Sequence, residues 1–360
     1  MFGKKKSKKQ QKTAHRFWKI FCIVVLTIFG IGAIGAALII GSVHNLLGSI
    51  NYDTNSDAPT LNFDNGEFYL DDNPIDLSNL EVRGNTKSVT NYLLLGVDSR
   101  DGSFYGRSDT MMIASLDKKN KKVKLITLMR DTWASIPDEE TGSSYTAKLN
   151  AAYAYGGFDL LSKTIEKNFC LDIDEYIAVN FDSFCEGVDA FGGVDMELDD
   201  RVVTWIPKED PGNPDKFAMS KNFKQIRTPI GYTAGTYHLQ GFQALAFCRV
   251  RYAYPDSDFS RQKNQRKVVG ALIDKAKTSG PIKLYSVMKK VLPYVTTNVP
   301  QKEIEKYITG ILGYRGYTVE VDYHLPDSGE YVDEYINGGA GLSLLDHEAT
   351  VKKLHEYIYG

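Results

Sequence analysis

Cysteine is scarce in this chain, since only four of its 360 residues are cysteines. Cys22 lies in a long apolar run, which leaves Cys170, Cys185 and Cys248 in the remainder. Three thiols cannot all pair within one chain, so the sequence excludes a disulfide framework, although one bridge among the three stays open. No C-x-x-C pair or Cys/His cluster occurs. We therefore expect no cysteine-bound metal and buried thiols that pack as small apolar groups.

Several common catalytic motifs are also missing. The sequence contains no G-x-x-x-x-G-K-[ST] phosphate loop, no G-x-S-x-G nucleophile elbow and no H-E-x-x-H zinc motif. These absences argue against nucleotide hydrolysis, serine-esterase chemistry and zinc-protease chemistry. The six histidines are scattered, and no two of them have the spacing of metal ligands.

Beyond the N-terminus, basic residues are fewer overall than acidic ones. The first nineteen residues carry eight of the 43 lysines and arginines and no acidic residue. The rest of the chain therefore has 35 basic against 45 acidic residues, a net charge of −10. A general nucleic-acid binder needs a basic surface, so we expect no nucleic-acid partner.

One long hydrophobic run is present, over residues 20–43, and its 24 residues include no charge. As a helix it is roughly 36 Å long, enough to cross a hydrocarbon layer of about 30 Å. Because basic flanks stay in the cytoplasm, we predict a basic cytoplasmic tail (1–19), a single transmembrane helix (20–43) and an extracellular body anchored to the cell membrane. A cleaved signal peptide is the alternative. Residues 44–88, rich in Asn, Asp, Ser and Gly, are predicted to be an extracellular stalk with at most one hairpin.

The body alternates strand and helix patterns. Short apolar runs bounded by polar residues predict strands buried on both faces, at residues 92–97, 110–116, 123–129 and 176–180. Apolar spacing predicts helices at 151–169, 181–191, 240–247 and 261–277. Residues 200–235 contain four prolines and many charges and are expected to form a long surface excursion. Residues 278–360 are expected to complete the domain with two or three helices and a strand at 317–323. This alternation is typical of an α/β fold around a mixed sheet.

Charged side chains stand at the ends of the apolar strands. Asp98 directly follows the first strand, Asp109 precedes the second, and Arg130 follows the third. In open α/β sheets ligands bind at the carboxyl ends of strands, so we expect a site here. Further along the chain, Arg249 and Arg251 have the spacing of neighbours on one face of an extended segment. Arg261 and Gln265, four residues apart, share a helix face.

Arginines beside apolar sequence are costly to bury unless an anion compensates them. Guanidinium groups form bidentate, charge-assisted hydrogen bonds with phosphate oxygens. Two carboxylates amid this positive charge, Asp98 and Asp109, suggest a hard cation that bridges to phosphate, with Mg²⁺ first and Mn²⁺ second. The residues thus predict a phosphate or pyrophosphate ester site with a divalent metal. The alternative is that the arginines only form salt bridges with Asp131, Asp256 and Asp258.

Seven blocks of sequence, in this order, are similar to the LytR-CpsA-Psr family of membrane-anchored cell-wall glycopolymer transferases. They are NYLLLGVDSR, GRSDTMMIASLDKKNKKVKLITLMRDTW, KLNAAYAYGG, VNFDSF, VDAFGGVDMEL, HLQGFQALAFCRVRY and DFSRQKNQRKV. The resemblance covers roughly residues 90–275. It implies a three-layer α/β/α catalytic domain over residues 89–277, with residues 278–360 completing it.

The resemblance also implies roles for individual residues. Asp98 and Asp109 match the family's Mg²⁺-binding acids. The pyrophosphate-contacting positions correspond to Arg107, Arg130, Arg249, Arg251, Arg261 and Gln265. Asp98, Arg130, Arg249 and Arg251 are the residues expected to take part in catalysis. A hydrophobic groove for a lipid tail is also implied, and the helix at 151–169 is a candidate to line it.

The implied activity is transfer of a glycopolymer, such as teichoic acid or capsule, from a polyprenyl-pyrophosphate carrier to peptidoglycan or a related acceptor. A lipid-pyrophosphate pyrophosphatase would use the same site with water as the acceptor. A protein that binds wall polymer without turnover is the third hypothesis. An external body argues against a transcription regulator.

Overall fold

The computed structural model describes residues 47–53, 68–72, 75–97, 108–205, 233–251, 253–255, 257–310, 316–336 and 338–360. The chain divides into two units, Met1–Ser49 and Ile50–Gly360, and the fold described below is that of the second. The predicted tail and transmembrane helix lie outside the described residues, as does part of the predicted stalk. Within the described ranges, no helix has the length and apolar character needed to cross a membrane.

Strands and helices alternate along the described chain. The strands are β1 (Asn51–Tyr52), β2 (Tyr69–Leu70), β3 (Val89–Val97), β4 (Ser108–Asp117), β5 (Lys122–Leu128), β6 (Trp133–Pro137), β7 (Ser144–Lys148), β8 (Glu175–Asn180), β9 (Val194–Leu198), β10 (Gly235–Leu239), β11 (Thr296–Thr297), β12 (Thr318–Leu325), β13 (Tyr331–Ile336) and β14 (Gly339–Leu344). The helices are α1 (Leu149–Phe169), α2 (Phe181–Phe191), α3 (Asp200–Trp205), α4 (Gly241–Cys248), α5 (Ser257–Thr278), α6 (Pro281–Val291), α7 (Gln301–Gly310) and α8 (His347–Tyr359), with a 3-10 turn at Leu292–Tyr294.

Seven strands form the main sheet, in the order β1-β11-β8-β3-β4-β5-β12. The central strand β3 is antiparallel to β4 and parallel to β8, and β5 is antiparallel to β4 and parallel to β12. A short connection suffices between antiparallel strands, whereas parallel neighbours need a longer crossover. The sheet is therefore mixed, as the sequence predicts.

Side chains alternate between the two faces along each strand, so apolar residues emerge on both faces of this sheet. Helices cover both faces. Leu93 and Leu95 of β3 belong to a fully buried core that also contains Leu161 of α1 and Leu354 of α8. Leu94, between them, faces the opposite side, where a cavity separates the sheet from α4 and α5. The candidate site lies on this second side.

Most of the predicted elements are confirmed, with boundaries shifted by a few residues. The prediction at 181–191 matches α2, which ends where Gly192 takes a φ of 84° that favours glycine. The predicted helix at 261–277 begins earlier, at Ser257. The hairpin of β13 and β14 was not predicted, since four consecutive residues of β13 are exposed and its sequence has no clear alternation.

The segment predicted to be a stalk contributes strands to the body. β1 pairs with β11, and β2 pairs with β7, so these two strands do not form a hairpin with each other. A further bridge joins Arg83 to Leu171. Of the predicted surface excursion at 200–235, residues 206–232 lie outside the described residues.

Cys170, Cys185 and Cys248 are free and buried. Burial raises the pKa of the Cys185 thiol to about 12, with the nearby Asp189, Asp182 and Glu186 adding to the effect. The prediction that these thiols pack as small apolar groups is confirmed.

Candidate functional site

Three arginine side chains surround one carboxylate at the carboxyl end of β5 and the start of α5. Asp258 Oδ1 lies 2.7 Å from Arg261 Nη2, 3.7 Å from Arg251 Nε and 3.8 Å from Arg130 Nη2. The Asp258 side chain is 13% exposed and that of Arg261 is 11% exposed. One carboxylate thus faces three guanidinium groups in a mostly buried setting.

Strand order brings the remaining charges of this arginine cluster together. Asp109, near the start of β4, pairs with Arg130 Nη1, because β4 and β5 are antiparallel neighbours and the start of one meets the end of the other. Arg130 Nε lies 3.3 Å from Asp131 Oδ2. The other oxygen of Asp131 lies 3.0 Å from Lys148 Nζ, at the end of β7.

The pKa shifts of these groups follow from burial and from their neighbours. Burial opposes the charged form of Arg130, but the carboxylates of Asp109, Asp258 and Asp131 outweigh it and raise the pKa of Arg130. Burial also opposes ionisation of Asp131, and Arg130 and Lys148 more than compensate, so its pKa is lowered. Burial lowers the pKa of Arg261, and the nearby Arg130 and Arg251 act in the same direction. An added anion would favour the charged form of Arg261 and so raise its pKa again.

Four cations of this cluster lie close to three carboxylates. Arg130, Arg251, Arg261 and Lys148 are the cations, and the carboxylates are those of Asp109, Asp131 and Asp258. In addition, Arg261 Nε is buried without a hydrogen-bond partner within the described residues. A buried donor of this kind is costly unless it binds an acceptor. The cluster can therefore bind an anion with several oxygen acceptors, such as a phosphate or a diphosphate.

An apolar cavity of about 200 Å³ adjoins the cluster on the α4/α5 side of the sheet. Its polar end is formed by Thr110, Arg249 and Gln265. Thr110 Oγ1 donates to Gln265 Oε1 at 2.9 Å, and Gln265 Nε2 donates to the Cys248 carbonyl at 3.4 Å. Gln265 follows Arg261 by one turn of α5, so this end of the cavity lies beside the arginine cluster.

The apolar space extends along the same face of the sheet. A second cavity of about 460 Å³ is lined almost wholly by apolar side chains, among them Ala114, Ile273 and Val295. Ile177 lines both cavities, so they are neighbours. We call the two together the apolar groove. Its lining is mostly apolar, with Arg249 in the first cavity and Lys277 in the second, which suits a hydrocarbon chain that carries an anionic head.

No residue of α1 lines either cavity. The expectation that the helix at 151–169 lines the groove is therefore wrong. That helix packs on the other face, where Leu160, Leu161 and Ile165 enter the main core. Apolar spacing identified the helix correctly but carries no information about which face of the sheet it covers.

The structure brings most of the predicted site residues together. Arg130, Arg251, Arg261 and Asp109 meet in the cluster, and Arg249 and Gln265 line the adjoining cavity. Asp98 and Arg107 lie outside the described residues. The expected extended conformation at Arg249 is wrong: this residue caps the C-terminus of α4 with φ −100° and ψ −2°. The salt bridges with Asp131 and Asp258, which are the alternative predicted from the sequence, are also present, and Asp256 lies outside the described residues.

Two members of the site were not selected as functional from the sequence. Asp258 was considered only as a salt-bridge partner, and nothing in its spacing indicates that three guanidinium groups converge on it. Lys148 was not considered, although it is the first residue of the block KLNAAYAYGG, and it stands at the end of the short strand β7. Arg266 contributes elsewhere: its Nε donates to the Val321 carbonyl and its Nη1 to Thr127 Oγ1, both at 2.6 Å.

Known proteins resemble this chain over most of its length. The family model described as "LytR_cpsA_psr family" matches residues 53–349. A "Polyisoprenyl-teichoic acid--peptidoglycan teichoic acid transferase TagU" of Bacillus cereus (strain ATCC 14579) is 35% identical over 225 residues, which cover 62% of this chain and 65% of the relative. The chain thus spans just under two thirds of that relative's length.

Two further proteins are similar over more of their length. A protein of the same name from Bacillus cereus strain AH820 is 32% identical over 289 residues, 80% of each chain. Among solved structures, B. subtilis TagV is 28% identical with a TM-score of 0.55, over 76% of this chain and 98% of TagV.

Proposed function

The chain belongs to the LytR-CpsA-Psr family, and from this premise and the geometry of its site we propose that it is a membrane-anchored phosphotransferase of the outer cell surface. It moves a glycopolymer from a polyprenyl-pyrophosphate carrier to peptidoglycan or a related acceptor. The observation that carries the proposal is the junction of the arginine cluster with the apolar groove. One end of the site suits a diphosphate, and the adjoining space suits its lipid.

The arginine cluster supports recognition of the diphosphate. Arg130 and Arg251 are the two guanidinium groups held loosely by Asp258, at 3.8 and 3.7 Å, whereas Arg261 is held at 2.7 Å. We propose that the two looser arginines bind the phosphate oxygens, while Arg261 keeps its Nη2 contact with Asp258 and offers its Nε to the anion. Arg249, at the cavity mouth, binds the lipid-proximal phosphate. Arg107, which lies outside the described residues, belongs to the same proposed set.

These residues would act by stabilising the charge that develops during transfer. An acceptor hydroxyl oxygen forms a bond to the sugar-proximal phosphorus. The bond from that phosphorus to the bridging oxygen breaks, polyprenyl phosphate leaves with the electron pair, and the hydroxyl proton passes to solvent or to a base. Asp98 is the carboxylate proposed for that proton. Arg130 and Arg251 neutralise the transferred group, and Arg249 neutralises the leaving phosphate.

Mg²⁺ assistance is part of this proposal, with Asp98 and Asp109 as the ligands and Mn²⁺ as a substitute. Within the described residues, no group of three His, Cys, Asp or Glu side chains is placed to hold an ion. Asp109, moreover, already pairs with Arg130. The described residues alone do not make a metal site, so no step above is assigned to the metal.

The test uses the full-length chain in detergent with Mg²⁺, a polyprenyl-pyrophosphate-linked oligosaccharide and a peptidoglycan fragment. Mass spectrometry follows the sugar phosphate. We expect it on the peptidoglycan, with transfer lowered by more than tenfold, or 1.4 kcal/mol, in Arg130→Ala and in Arg249→Ala. Arg201→Ala, at an exposed position on α3, is the matched control and should leave transfer unchanged.

Each other outcome contradicts a stated part of the proposal. Free sugar phosphate with every acceptor offered would indicate a pyrophosphatase. Donor binding without any turnover would indicate a wall-polymer binding protein. Transfer within tenfold of wild type in both variants would refute the assignment of the arginines.

A further inference from the structure

One surface of the body combines exposed apolar side chains with positive charge. The stretch from Ser279 to Pro300, which includes α6 and the 3-10 turn, contains three lysines and no acidic residue. The chain beyond residue 19, by contrast, carries a net charge of −10. The charge of this stretch is thus opposite in sign to that of the rest of the body.

The helix α6 is amphipathic in an unusual way, because its outward face is both apolar and cationic. Leu284 and Val287 are buried against the body. On the opposite side, Ile282 is 87% exposed and Tyr285 is 36% exposed. Helical spacing places Lys289 on the same outward face, seven residues after Ile282. An aliphatic and an aromatic side chain flanked by lysines are typical of a helix that lies in a membrane interface.

The same segment lies beside the apolar groove. Leu292 and Val295 line the second cavity, and between them Tyr294 is 42% exposed. The segment therefore separates the groove from the outer surface, with apolar side chains on its inner side and a tyrosine on its outer side.

The chain enters the body at this surface. Asn51 Nδ2 donates to the Pro293 carbonyl at 3.2 Å, and the Asn51 amide donates to the Val295 carbonyl at 3.1 Å. Ile50, where the body begins, follows Val43, the last residue of the hydrophobic run, by seven residues. The second unit thus begins beside the 3-10 turn.

We propose that the outward face of α6 and the 3-10 turn, which we call the lysine face, docks on an anionic phospholipid surface and directs the nearby end of the groove toward the bilayer. The lysine face is defined by Ile282, Tyr285, Tyr294 and the lysines at 283, 289 and 290. Each lysine near an anionic membrane shifts the docking equilibrium about fivefold. This inference rests on the proposed function, which supplies the lipid-linked substrate, and on the proposed membrane anchor, which holds the body near the bilayer.

The test places the full-length chain in lipid nanodiscs made of equal parts phosphatidylcholine and phosphatidylglycerol. An environment-sensitive NBD fluorophore is attached at Ile282→Cys or, as the matched control, at Tyr335→Cys on β13, which is 76% exposed. Both are made in a Cys22→Ser background, since the other three thiols are buried. A doxyl-labelled lipid then reports contact by quenching.

We expect quenching at position 282 to be at least about threefold that at position 335, and to fall in discs of phosphatidylcholine alone. Charge reversal of all three lysines, Lys283→Glu, Lys289→Glu and Lys290→Glu, should abolish the difference without changing Tm. Equal quenching at the two positions, or quenching indifferent to the lysines, would overturn the proposal. A chain that does not co-purify with discs would overturn it too, by refuting the anchor.

Failure here is distinguishable from failure of the proposed function. The quenching assay needs no turnover, and transfer from a short-chain donor that is soluble in water needs no membrane. Lysine variants that lose docking but keep that transfer would confirm both proposals. Docking without any transfer would sustain the lysine face and refute the enzyme.

Discussion

Asp258 is the residue whose replacement tests the arginine cluster most directly. Asp258→Asn keeps the shape of the side chain and removes the one negative charge that three guanidinium groups share, at 2.7, 3.7 and 3.8 Å. A pair of unit charges about 4 Å apart attracts by roughly 4 kcal/mol at an effective dielectric constant of about 20. Loss of one partner from a buried pair costs about 3–5 kcal/mol. We expect the variant to lose about 3 kcal/mol of stability, a decrease in Tm of about 6 °C.

The same substitution should strengthen anion binding. With Asp258 neutral, the three guanidinium groups lose the carboxylate that they share, although Arg130 keeps Asp109 and Asp131, and inorganic pyrophosphate can replace that charge. We expect calorimetry to give a pyrophosphate Kd at least about tenfold lower than that of the wild type, equal to 1.4 kcal/mol. The gain in Tm with saturating pyrophosphate should therefore be larger in the variant.

The matched control is Asp274→Asn, also on α5. Asp274 is 60% exposed and pairs with Lys277 alone at 2.5 Å, so its loss should change stability by less than about 1 kcal/mol. The reasoning is refuted if Asp258→Asn and Asp274→Asn have the same Tm, or if pyrophosphate stabilises Asp258→Asn less than the wild type.

Three other changes probe the groove, the scaffold and the pH response. Ala114→Phe fills the second cavity, so the KM for a long polyprenyl donor should rise at least about tenfold while the KM for a short donor stays the same. An equal rise in KM for both donors would contradict a lipid groove. Arg266→Met leaves the Val321 carbonyl and Thr127 Oγ1 without their donor, so the free energy of unfolding should fall by about 3 kcal/mol. The kcat per folded molecule should not change. Burial lowers the pKa of His355 in the folded protein. The neutral imidazole therefore favours the fold above the unfolded pKa of about 6.5, and this stability is lost as the pH falls below that value. His355→Gln should flatten the dependence of Tm on pH below about 6.5, and an unchanged slope would assign the dependence to other groups.

The sequence predicted the main sheet well where apolar runs are long and bounded by polar residues. β3, β4 and β5 were identified because burial on both faces leaves an uninterrupted apolar run. The hairpin of β13 and β14 was missed because its exposed strand carries no such signal. Local pattern also left the face covered by α1 undetermined, since a helix with one apolar side packs equally well on either face of a sheet.

The anion-binding character of the site and some of its residues were predictable from the sequence. Arginines 130, 251 and 261 are selected by their positions beside apolar sequence, and the fold brings them together. The centre of the cluster was not predictable, because the contact between Arg130 and Asp258 joins residues 128 positions apart. Such a pairing depends on strand order, which a single sequence does not specify.

The geometry of Asp258 explains how the cluster can be both stable when empty and able to bind. Three guanidinium groups without a counter-charge would repel one another in a buried site. Asp258 holds one arginine closely and two loosely, so the empty site keeps partial neutralisation while Arg130 and Arg251 can exchange a distant carboxylate for phosphate oxygens. Because Asp258 remains in place, it also competes with the bound phosphate and favours release of the product. The carboxylate is thus a positioning residue whose removal should tighten binding and slow turnover together.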